Sequence, residues 1–235
     1  MPRLTLSFAI LSLGLQVLLA LMRMPFPAYP LLSWQDAIDL LSPLVLIPIY
    51  WVMYRRGSSR PGGVSDVLFM GFAALWVLGH GMHLSANSIH NLADAMAKGQ
   101  GPDLRGTELY RLIYFFDEHL SHRVWYVGVL GLAGVLIRRE ARTPAGIATA
   151  WWAAAPAGVI YGFTCFCLFV EGQTVALGLP FAAVVTVYAI RARRTLPRRP
   201  LGAFFGIAFL VALLLFVGWG LYWKGFPQFT DVGLI

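Results

Sequence analysis

VSDVLFMGFAALWVLGHGMHLSANSIHNLADA, residues 64–95, decides how the chain must fold, because an almost wholly apolar half runs directly into a polar one. Similar apolar runs of about 20 residues recur along the sequence and predict membrane-spanning helices. Only 12% of the 235 residues are charged and 58% are hydrophobic, whereas soluble domains carry about a quarter charged residues. The sequence therefore predicts an all-α, polytopic transmembrane helix bundle.

Segments rich in proline, glycine and charge divide the chain into about seven predicted spans. The third and fourth spans are too long for the hydrocarbon core alone, since a helix of about 30 residues measures about 45 Å. No stretch is left for a separate soluble domain, so residues 1–235 are predicted to form a single integral membrane domain. The spans are 4–22, 34–54, 64–93, 107–138, 145–170, 173–191 and 201–223.

The net charge of +7 comes from basic clusters between the apolar runs, where membrane orientation explains them and no nucleic-acid partner is needed. The side of the membrane with more arginine and lysine residues is expected to be the cytoplasmic side. This predicts an inside N-terminus and an outside C-terminus, in a multi-pass protein of a bacterial-type inner or plasma membrane. On that side lie Arg3, Arg55, Arg56, Arg60, Arg138, Arg139, Arg142, Arg191, Arg193, Arg194, Arg198 and Arg199; on the other lie Arg23, Lys98, Arg105, Arg111, Arg123 and Lys224.

The polar half of the opening stretch forms one face of a helix. At 100° per residue, six of its side chains fall within an arc of roughly 100°. Lipid cannot satisfy such a stripe, so we expect it to face the protein interior or a water-filled cavity. Its members are His80, His83, Asn87, His90, Asn91 and Asp94.

A second polar stripe begins the fourth span, in ELYRLIYFFDEHLSHRVWY, residues 108–126. Glu118 and His122 are four residues apart, a spacing at which two side chains of one helix can bind one metal. The short connection predicts that the third and fourth spans are antiparallel neighbours with their stripes at the same level. The stripe contains Arg111, Tyr114, Asp117, Glu118, Ser121 and His122, with His119 outside it.

These stripes predict a site for one divalent metal, most naturally zinc, held by His80, His83, His122 and Glu118. Asp117 or Glu118 would act as general base, and Tyr114, Ser121 or Arg111 would stabilise an oxyanion. An outward-facing site of this kind favours hydrolysis of an amphiphilic, lipid-like substrate that enters from the membrane. The side chains expected to surround the ligands are Asn87, His90, His119, Arg111 and Glu171.

In its seven-span plan with intramembrane His, Asp and Ser, the chain resembles the membrane hydrolase superfamily of alkaline ceramidases and adiponectin-receptor-like proteins. The resemblance implies a helical bundle with a zinc-dependent lipid hydrolase activity. That family has a His-x-x-x-His pair in its last span, whereas residues 201–223 contain no histidine. Here the histidines lie in HGMH and EHLSH, residues 80–83 and 118–122, so no residue role is carried over.

Two other functions stay open from the residues alone. A redox protein could use His83 and His122 as axial haem ligands, or could hold non-haem iron or copper among its histidines and carboxylates. A proton or metal transporter could use the polar stripe as a pathway. The apolar inner halves of the third and fourth spans count against transport. The chain could also act as a subunit of a larger membrane complex.

Overall fold

The computed structural model describes residues 1–18, 24–27, 29–56, 63–99, 101–144 and 151–234. Within these ranges the chain forms a bundle of seven helices with one short β-hairpin. Four parts of the sequence-based predictions lie outside the described residues. They are the end of the first span (19–22), the start of the fifth (145–150), and Arg23 and Arg60.

Most of the described helices begin and end within about five residues of the predicted spans, whereas the fifth helix begins at Ala155, ten residues after the predicted start of the fifth span. Two of them contain π-helical turns, and a 3-10 turn, Trp151–Ala154, leads into α5. The helices are α1 (Pro2–Leu13, then π-helical Gly14–Leu18), α2 (Trp34–Arg56), α3 (Val64–Lys98), α4 (Glu108–Tyr114, π-helical Phe115–Ser121, then His122–Arg142), α5 (Ala155–Glu171), α6 (Val175–Arg191) and α7 (Pro200–Trp223).

Five helical segments are long and apolar enough to cross a membrane: Trp34–Arg56, Val64–Lys98, Glu108–Arg142, Trp152–Glu171 and Pro200–Trp223. Two shorter apolar helices, Pro2–Leu18 and Val175–Arg191, accompany them. The predicted helical bundle, with apolar helices of membrane-spanning length, is therefore confirmed. The 35 residues of α3 measure about 52 Å, which is longer than the roughly 30 Å of a hydrocarbon core.

A short β-hairpin connects α1 and α2 in this helical fold. Its strands are β1 (Pro25–Phe26) and β2 (Tyr29–Ser33), which pair in antiparallel fashion. The stretch is rich in proline, and proline together with the residue before it favours extended backbone. The Trp34 amide at the start of α2 then donates to the Met24 carbonyl at 2.9 Å and closes the hairpin.

The predicted antiparallel pairing of the third and fourth spans is confirmed, because α3 packs along α4. A Cβ atom at Gly79 would lie 2.5 Å from the Trp125 backbone nitrogen, and one at Gly128 would lie 2.6 Å from the Phe72 carbonyl oxygen. Contacts this short require glycine, since any side chain would push the helices apart. The glycines therefore set the register that brings the two polar stripes to one level.

A dense aromatic core fills the middle of the bundle. Helix α7 packs on α5 and α6, and α1 packs on α5. The Tyr50 and Tyr161 hydroxyls are hydrogen-bonded at 2.7 Å, and Phe8, Trp76 and Phe204 are among the fully buried rings around them. Burial of this much aromatic surface stabilises the bundle below the polar stripes.

Buried polar contacts also join the helices at the end of the bundle where Arg139 lies, which we call the arginine end. The Tyr54 hydroxyl donates to Asp66, and Arg139 Nη1 lies 3.2 Å from Asp66 Oδ1. The Glu140 carboxylate accepts hydrogen bonds from the backbone N–H groups of Leu201 and Gly202 at 2.9 and 2.6 Å. It thereby provides acceptors for amides in the first turn of α7, which have no partner within the helix. These contacts connect α2, α3, α4 and α7.

The connection between α3 and α4 lies at the opposite end, which we call the histidine end. Thr107 caps α4 by accepting the Tyr110 amide at 3.2 Å. Arg105 donates to both oxygens of Asp103 at 2.8 Å. This guanidinium lowers the pKa of the Asp103 carboxyl to about 2, so the carboxyl stays charged at any ordinary pH.

Candidate functional site

Side chains on the polar face of α3 have two different surroundings, a cavity and a hydrogen-bond network. His83 and Asn87 line the cavity. His90, two turns further along, faces α4 and bonds there to Asp117 and Tyr110. The predicted stripe therefore faces the protein interior at His83, Asn87 and His90, as their helical spacing requires, whereas Asn91 is exposed.

A π-helical segment in α4, Phe115–Ser121, carries Asp117 and Glu118. The prediction of regular 100° steps through residues 107–138 is wrong here, because π-turns hold more residues than α-turns. The Ser121 hydroxyl donates to the Asp117 carbonyl, and His122 Nδ1 lies 3.1 Å from the Glu118 carbonyl oxygen. Single π-turns inside α-helices are frequent at functional sites.

Asp117 lies between two histidines of α3. Its Oδ1 is 2.9 Å from His83 Nδ1 and its Oδ2 is 3.0 Å from His90 Nδ1. The carboxylate is fully buried, with 0% of the side chain exposed. The contact with His90 is a hydrogen bond, whereas the contact with His83 has an ion-pair distance without hydrogen-bond alignment.

The network continues from His90 to the surface end of α4. His90 Nε2 is 2.7 Å from the Tyr110 hydroxyl, which lies 3.5 Å from Asp94 Oδ1. Both ring nitrogens of His90 therefore have partners. The hydrogen bonds from Asp117 through His90 and Tyr110 therefore fix the orientation of the His90 ring.

His122 approaches His83 from the opposite helix, with ring centres 4.8 Å apart. Its Nδ1 is held by the Glu118 carbonyl oxygen, and the Glu118 carboxylate lies 4.0 Å from the same nitrogen. Among the described residues, no donor or acceptor contacts Nε2 of either His83 or His122. Both histidines therefore hold Nδ1 against an oxygen and leave Nε2 available.

The two histidines open onto a cavity of about 530 Å³ at the histidine end. This size lies within the range of small-molecule sites. Its walls combine polar groups from α2, α3 and α4 with apolar groups from α5. The described lining residues are Gln16, Val17, Leu18, Gln35, Asp39, His83, Asn87, Glu118, His122, Trp125, Tyr126, Phe163, Phe166, Cys167, Leu168, Glu171, Gly172, Gln228, Phe229 and Leu234.

The two aspartates at the start of α2 differ in their hydrogen bonds. Asp36 accepts the backbone N–H and hydroxyl of Ser33 at 2.7 and 2.8 Å and the Asn87 amide at 2.7 Å. It therefore caps α2 and ties it to α3. The Asp39 carboxylate lines the cavity, and no hydrogen-bond donor from the described residues reaches it.

Glu171 reaches the cavity from the end of α5, where it holds the segment that follows α7. Its carboxylate accepts the Phe229 amide at 2.9 Å and the Thr230 hydroxyl at 3.0 Å. The sequence predicted Glu171 near the site, but it gave no sign that Gln228 and Phe229 would form a wall. Nothing in residues 224–234 repeats a helical pattern that could have placed them.

The structure does not bring His80 or Arg111 to the cavity. The His80 ring packs on Trp125 with centres 3.8 Å apart and also faces Trp76, and neither of its nitrogens has a hydrogen-bond partner among the described residues. Arg111 is exposed and pairs with Glu108 at 2.7 Å. The aromatic rings on α4 block His80, and Arg111 lies too near the end of α4.

Three other predicted residues surround the network without lining the cavity. Tyr114 packs its ring against His90 and His119, with centres 5.8 and 5.6 Å apart. His119 also contacts Phe115, while the Ser121 hydroxyl is used by the backbone of its own helix. These contacts position side chains, and they leave no group aimed at a substrate.

One donor set among the described residues has the distances for a metal ion: atoms of His90, Asp117 and Glu118 lie within 4.8 Å of one another, but the first two already bond to each other. His83, His122 and Glu118 all line the cavity, although the structure does not bring their ligand atoms together as such a set. Ligating histidines usually donate their second ring N–H to a carboxylate or a carbonyl; His122 has this arrangement, and His83 approaches it, with Nδ1 at 2.9 Å from Asp117 Oδ1.

Comparisons of this chain with protein-family models, with curated proteins and with solved structures find no match.

Proposed function

We propose that this chain is a multi-pass membrane metalloenzyme that hydrolyses a lipid-like substrate in the cavity at the histidine end. His83, His122 and Glu118 would hold one divalent metal, and zinc suits this donor set best. When bound, the metal would activate water for attack on an ester or amide bond.

The observation that carries the proposal is the matched arrangement of the two histidines. Each holds Nδ1 against an oxygen and leaves Nε2 without a described partner at the cavity wall. Two imidazoles on one tetrahedral metal have ring centres about 5 Å apart, since each metal–nitrogen bond is about 2 Å. The separation of His83 and His122 is 4.8 Å, so little movement would be needed.

Asp117 fits a positioning role better than the general-base role predicted from the sequence. Its two oxygens are taken up by His83 and His90. A carboxylate behind a ligating histidine orients the ring and raises its basicity as a ligand. The network that continues to Tyr110 and Asp94 would hold this carboxylate in place.

The cavity wall supports an amphiphilic substrate. Leu18, Phe163 and Leu234 line the cavity and are 55%, 44% and 61% exposed on the outside of the bundle. In a bilayer, such an apolar rim would face lipid and allow a hydrocarbon chain to extend sideways. The polar head would then lie against the histidines, near the level where the apolar part of α3 ends.

The distribution of arginines supports seven spans with the N-terminus inside a bacterial-type plasma membrane. The ends of α2 and α4 and the start of α7 meet through Asp66, Arg139, Glu140 and Arg199, so their basic flanks share one end of the bundle. Excess basic residues mark the cytoplasmic side. The histidine end would then face outward.

The geometry counts against the two alternative functions. Axial imidazoles on opposite faces of a haem would have ring centres about 6 Å apart or more, farther than the 4.8 Å between His83 and His122. A transport pathway would have to cross the buried core around Tyr50, Trp76 and Tyr161. Non-haem iron needs similar ligands to zinc, and metal identification separates these two.

Metal analysis of chelator-free, gently purified protein tests the proposal. About one zinc per chain is expected in the wild type and almost none in a His83→Ala, Glu118→Gln double variant. His119→Ala is the matched control, because His119 lies on the same helix without lining the cavity, and it should retain the metal. Full metal content in the double variant would overturn the proposed site, and iron in place of zinc would overturn the hydrolase.

A further inference from the structure

The wall of the cavity is strongly unbalanced in charge. It contains the carboxylates of Asp39, Glu118 and Glu171, and it contains no arginine or lysine among the described residues. The nearby described cation Arg111 is exposed and paired with Glu108. Sites that bind phosphate or carboxylate groups rely on arginine, lysine or clustered N–H donors. This wall therefore disfavours an anionic head group.

A fourth carboxylate lies behind this wall. Asp117 is fully buried and contacts His83 at 2.9 Å, so it does not line the cavity itself. Carboxylates enclosed by apolar walls produce a strong local field, which favours a cation over an anion.

Asp39 is the carboxylate of this wall that is free to bind a head group. Glu171 already accepts the Phe229 amide and the Thr230 hydroxyl, and Glu118 is assigned to the metal. No described donor reaches Asp39, although its neighbour Asp36 accepts three hydrogen bonds. An unpaired carboxylate in a cavity wall costs free energy unless a cation or water meets it.

Aromatic rings stand in the same wall as Asp39. Trp125, Tyr126 and Phe166 line the cavity, and Trp125 stacks on Tyr126 with centres 4.7 Å apart. These rings are mostly buried against one another, so they present aromatic edges and apolar surface beside the carboxylate. A substituted ammonium group suits such surroundings, because it combines a positive charge with few hydrogen-bond donors.

We infer that the cavity binds an amphiphile whose polar head is a substituted ammonium group and carries no phosphate, with its hydrocarbon chain leaving past Leu18 and Phe163. This inference rests on the proposed function in treating the cavity as the substrate site. It narrows the substrate to a cationic long-chain ester or amide.

Equilibrium binding of non-hydrolysable probes tests the inference without metal or turnover. The chelator-treated protein, in phosphatidylcholine nanodiscs, is titrated with isotope-labelled hexadecyltrimethylammonium, hexadecyl phosphate and hexadecyl maltoside, and empty nanodiscs are subtracted. Saturable binding of one ammonium probe per chain is expected, about tenfold tighter than binding of the other two. A phosphate or maltoside probe that binds equally well would overturn the inference.

Asp39→Asn keeps the shape of the side chain and removes its charge, so it should weaken ammonium binding about tenfold. Asp39→Glu should restore most of the affinity, and Glu108→Gln, at an exposed carboxylate outside the cavity, should leave it unchanged. If Asp39→Asn binds the ammonium probe as tightly as the wild type, the probe would be held by the metal-binding side chains instead. That result would overturn the proposed role of Asp39 in the cavity wall. Since the protein is metal-free, failure of the hydrolase proposal would not alter these results.

Discussion

The two ends of the bundle both contain buried polar clusters, but they satisfy their polar atoms differently. At the arginine end, Asp66 is contacted by both Tyr54 and Arg139, and the Glu140 oxygens accept the first amides of α7. At the histidine end, His122 Nδ1 bonds to the Glu118 carbonyl oxygen and His83 Nδ1 lies 2.9 Å from Asp117 Oδ1, while Nε2 of each ring has no partner among the described residues. The first arrangement joins helices, whereas the second leaves ligand atoms available.

The surroundings of the two clusters differ in the same way. The Arg139 guanidinium stacks over the Tyr54 ring at 3.9 Å, so side chains fill the space around it. The histidine cluster instead borders about 530 Å³ of open volume. Buried polar groups without hydrogen-bond partners lower the stability of a fold. When such groups lie beside a cavity, a bound ligand can supply the missing partners and recover that free energy. The difference indicates which cluster serves stability and which serves binding.

The largest expected decrease in unfolding free energy comes from a substitution in the arginine-end cluster. Asp66→Asn removes the carboxylate charge that lies 3.2 Å from the buried Arg139 guanidinium, and loss of one member of a buried ion pair costs about 3 kcal/mol or more. Reversible unfolding in mixed micelles should show this loss, with Glu108→Gln as the exposed control. The metal content of the folded fraction should stay at the wild-type level. A stability equal to that of the wild type would remove the contrast between the two ends.

A smaller loss is expected from Gly79→Ala, because its Cβ atom would clash with the Trp125 backbone. Overpacking of this kind costs about 1–3 kcal/mol, and it should also lower metal content by separating His83 from His122. Gly81→Ala is the matched control on the same helix, since its Cβ atom would meet no atom within 4 Å. At that position alanine favours the helix by about 1 kcal/mol over glycine, so Gly81→Ala should raise the unfolding free energy while Gly79→Ala lowers it. Equal changes in the two variants would contradict the packing of α3 against α4.

The smallest expected effect is at the far end of the histidine network. Tyr110→Phe removes the hydroxyl that contacts His90 Nε2 at 2.7 Å, and it should cost about 1 kcal/mol in unfolding free energy. Tyr114→Phe is the control, because its hydroxyl has no hydrogen-bond partner among the described residues. If both variants unfold alike, the network contributes nothing to holding His90.

Much of this arrangement could be predicted from local sequence. Helical spacing placed His83, Asn87 and His90 on one face, and the short connection to the next span brought His122 level with His83. Both predictions depend on regular helix geometry, which apolar spans of this length enforce. Proline and glycine indicated most of the helix bounds in the same way, but they did not indicate the start of α5 at Ala155.

Other features depend on contacts that local patterns do not encode. The π-helical turn around Asp117 changes which side chains face α3, and its sequence contains no proline or glycine to signal it. His80 shares the face of His83 but meets the rings of Trp76 and Trp125, so tertiary packing removes it from the site. Gln16 and Phe229 reach the cavity from opposite ends of the chain, and no spacing rule joins them.

X-ray absorption at the K-edge of the bound metal tests the central claim most directly. Two imidazole nitrogens and carboxylate or water oxygens at about 2.0–2.1 Å are predicted for zinc on His83, His122 and Glu118. Loss of one imidazole contribution in His122→Ala, with both retained in His90→Asn, would assign the ligands. A sulfur shell near 2.3 Å, which would implicate Cys167 in the cavity wall, or dependence on His90 instead of His122 would contradict the account.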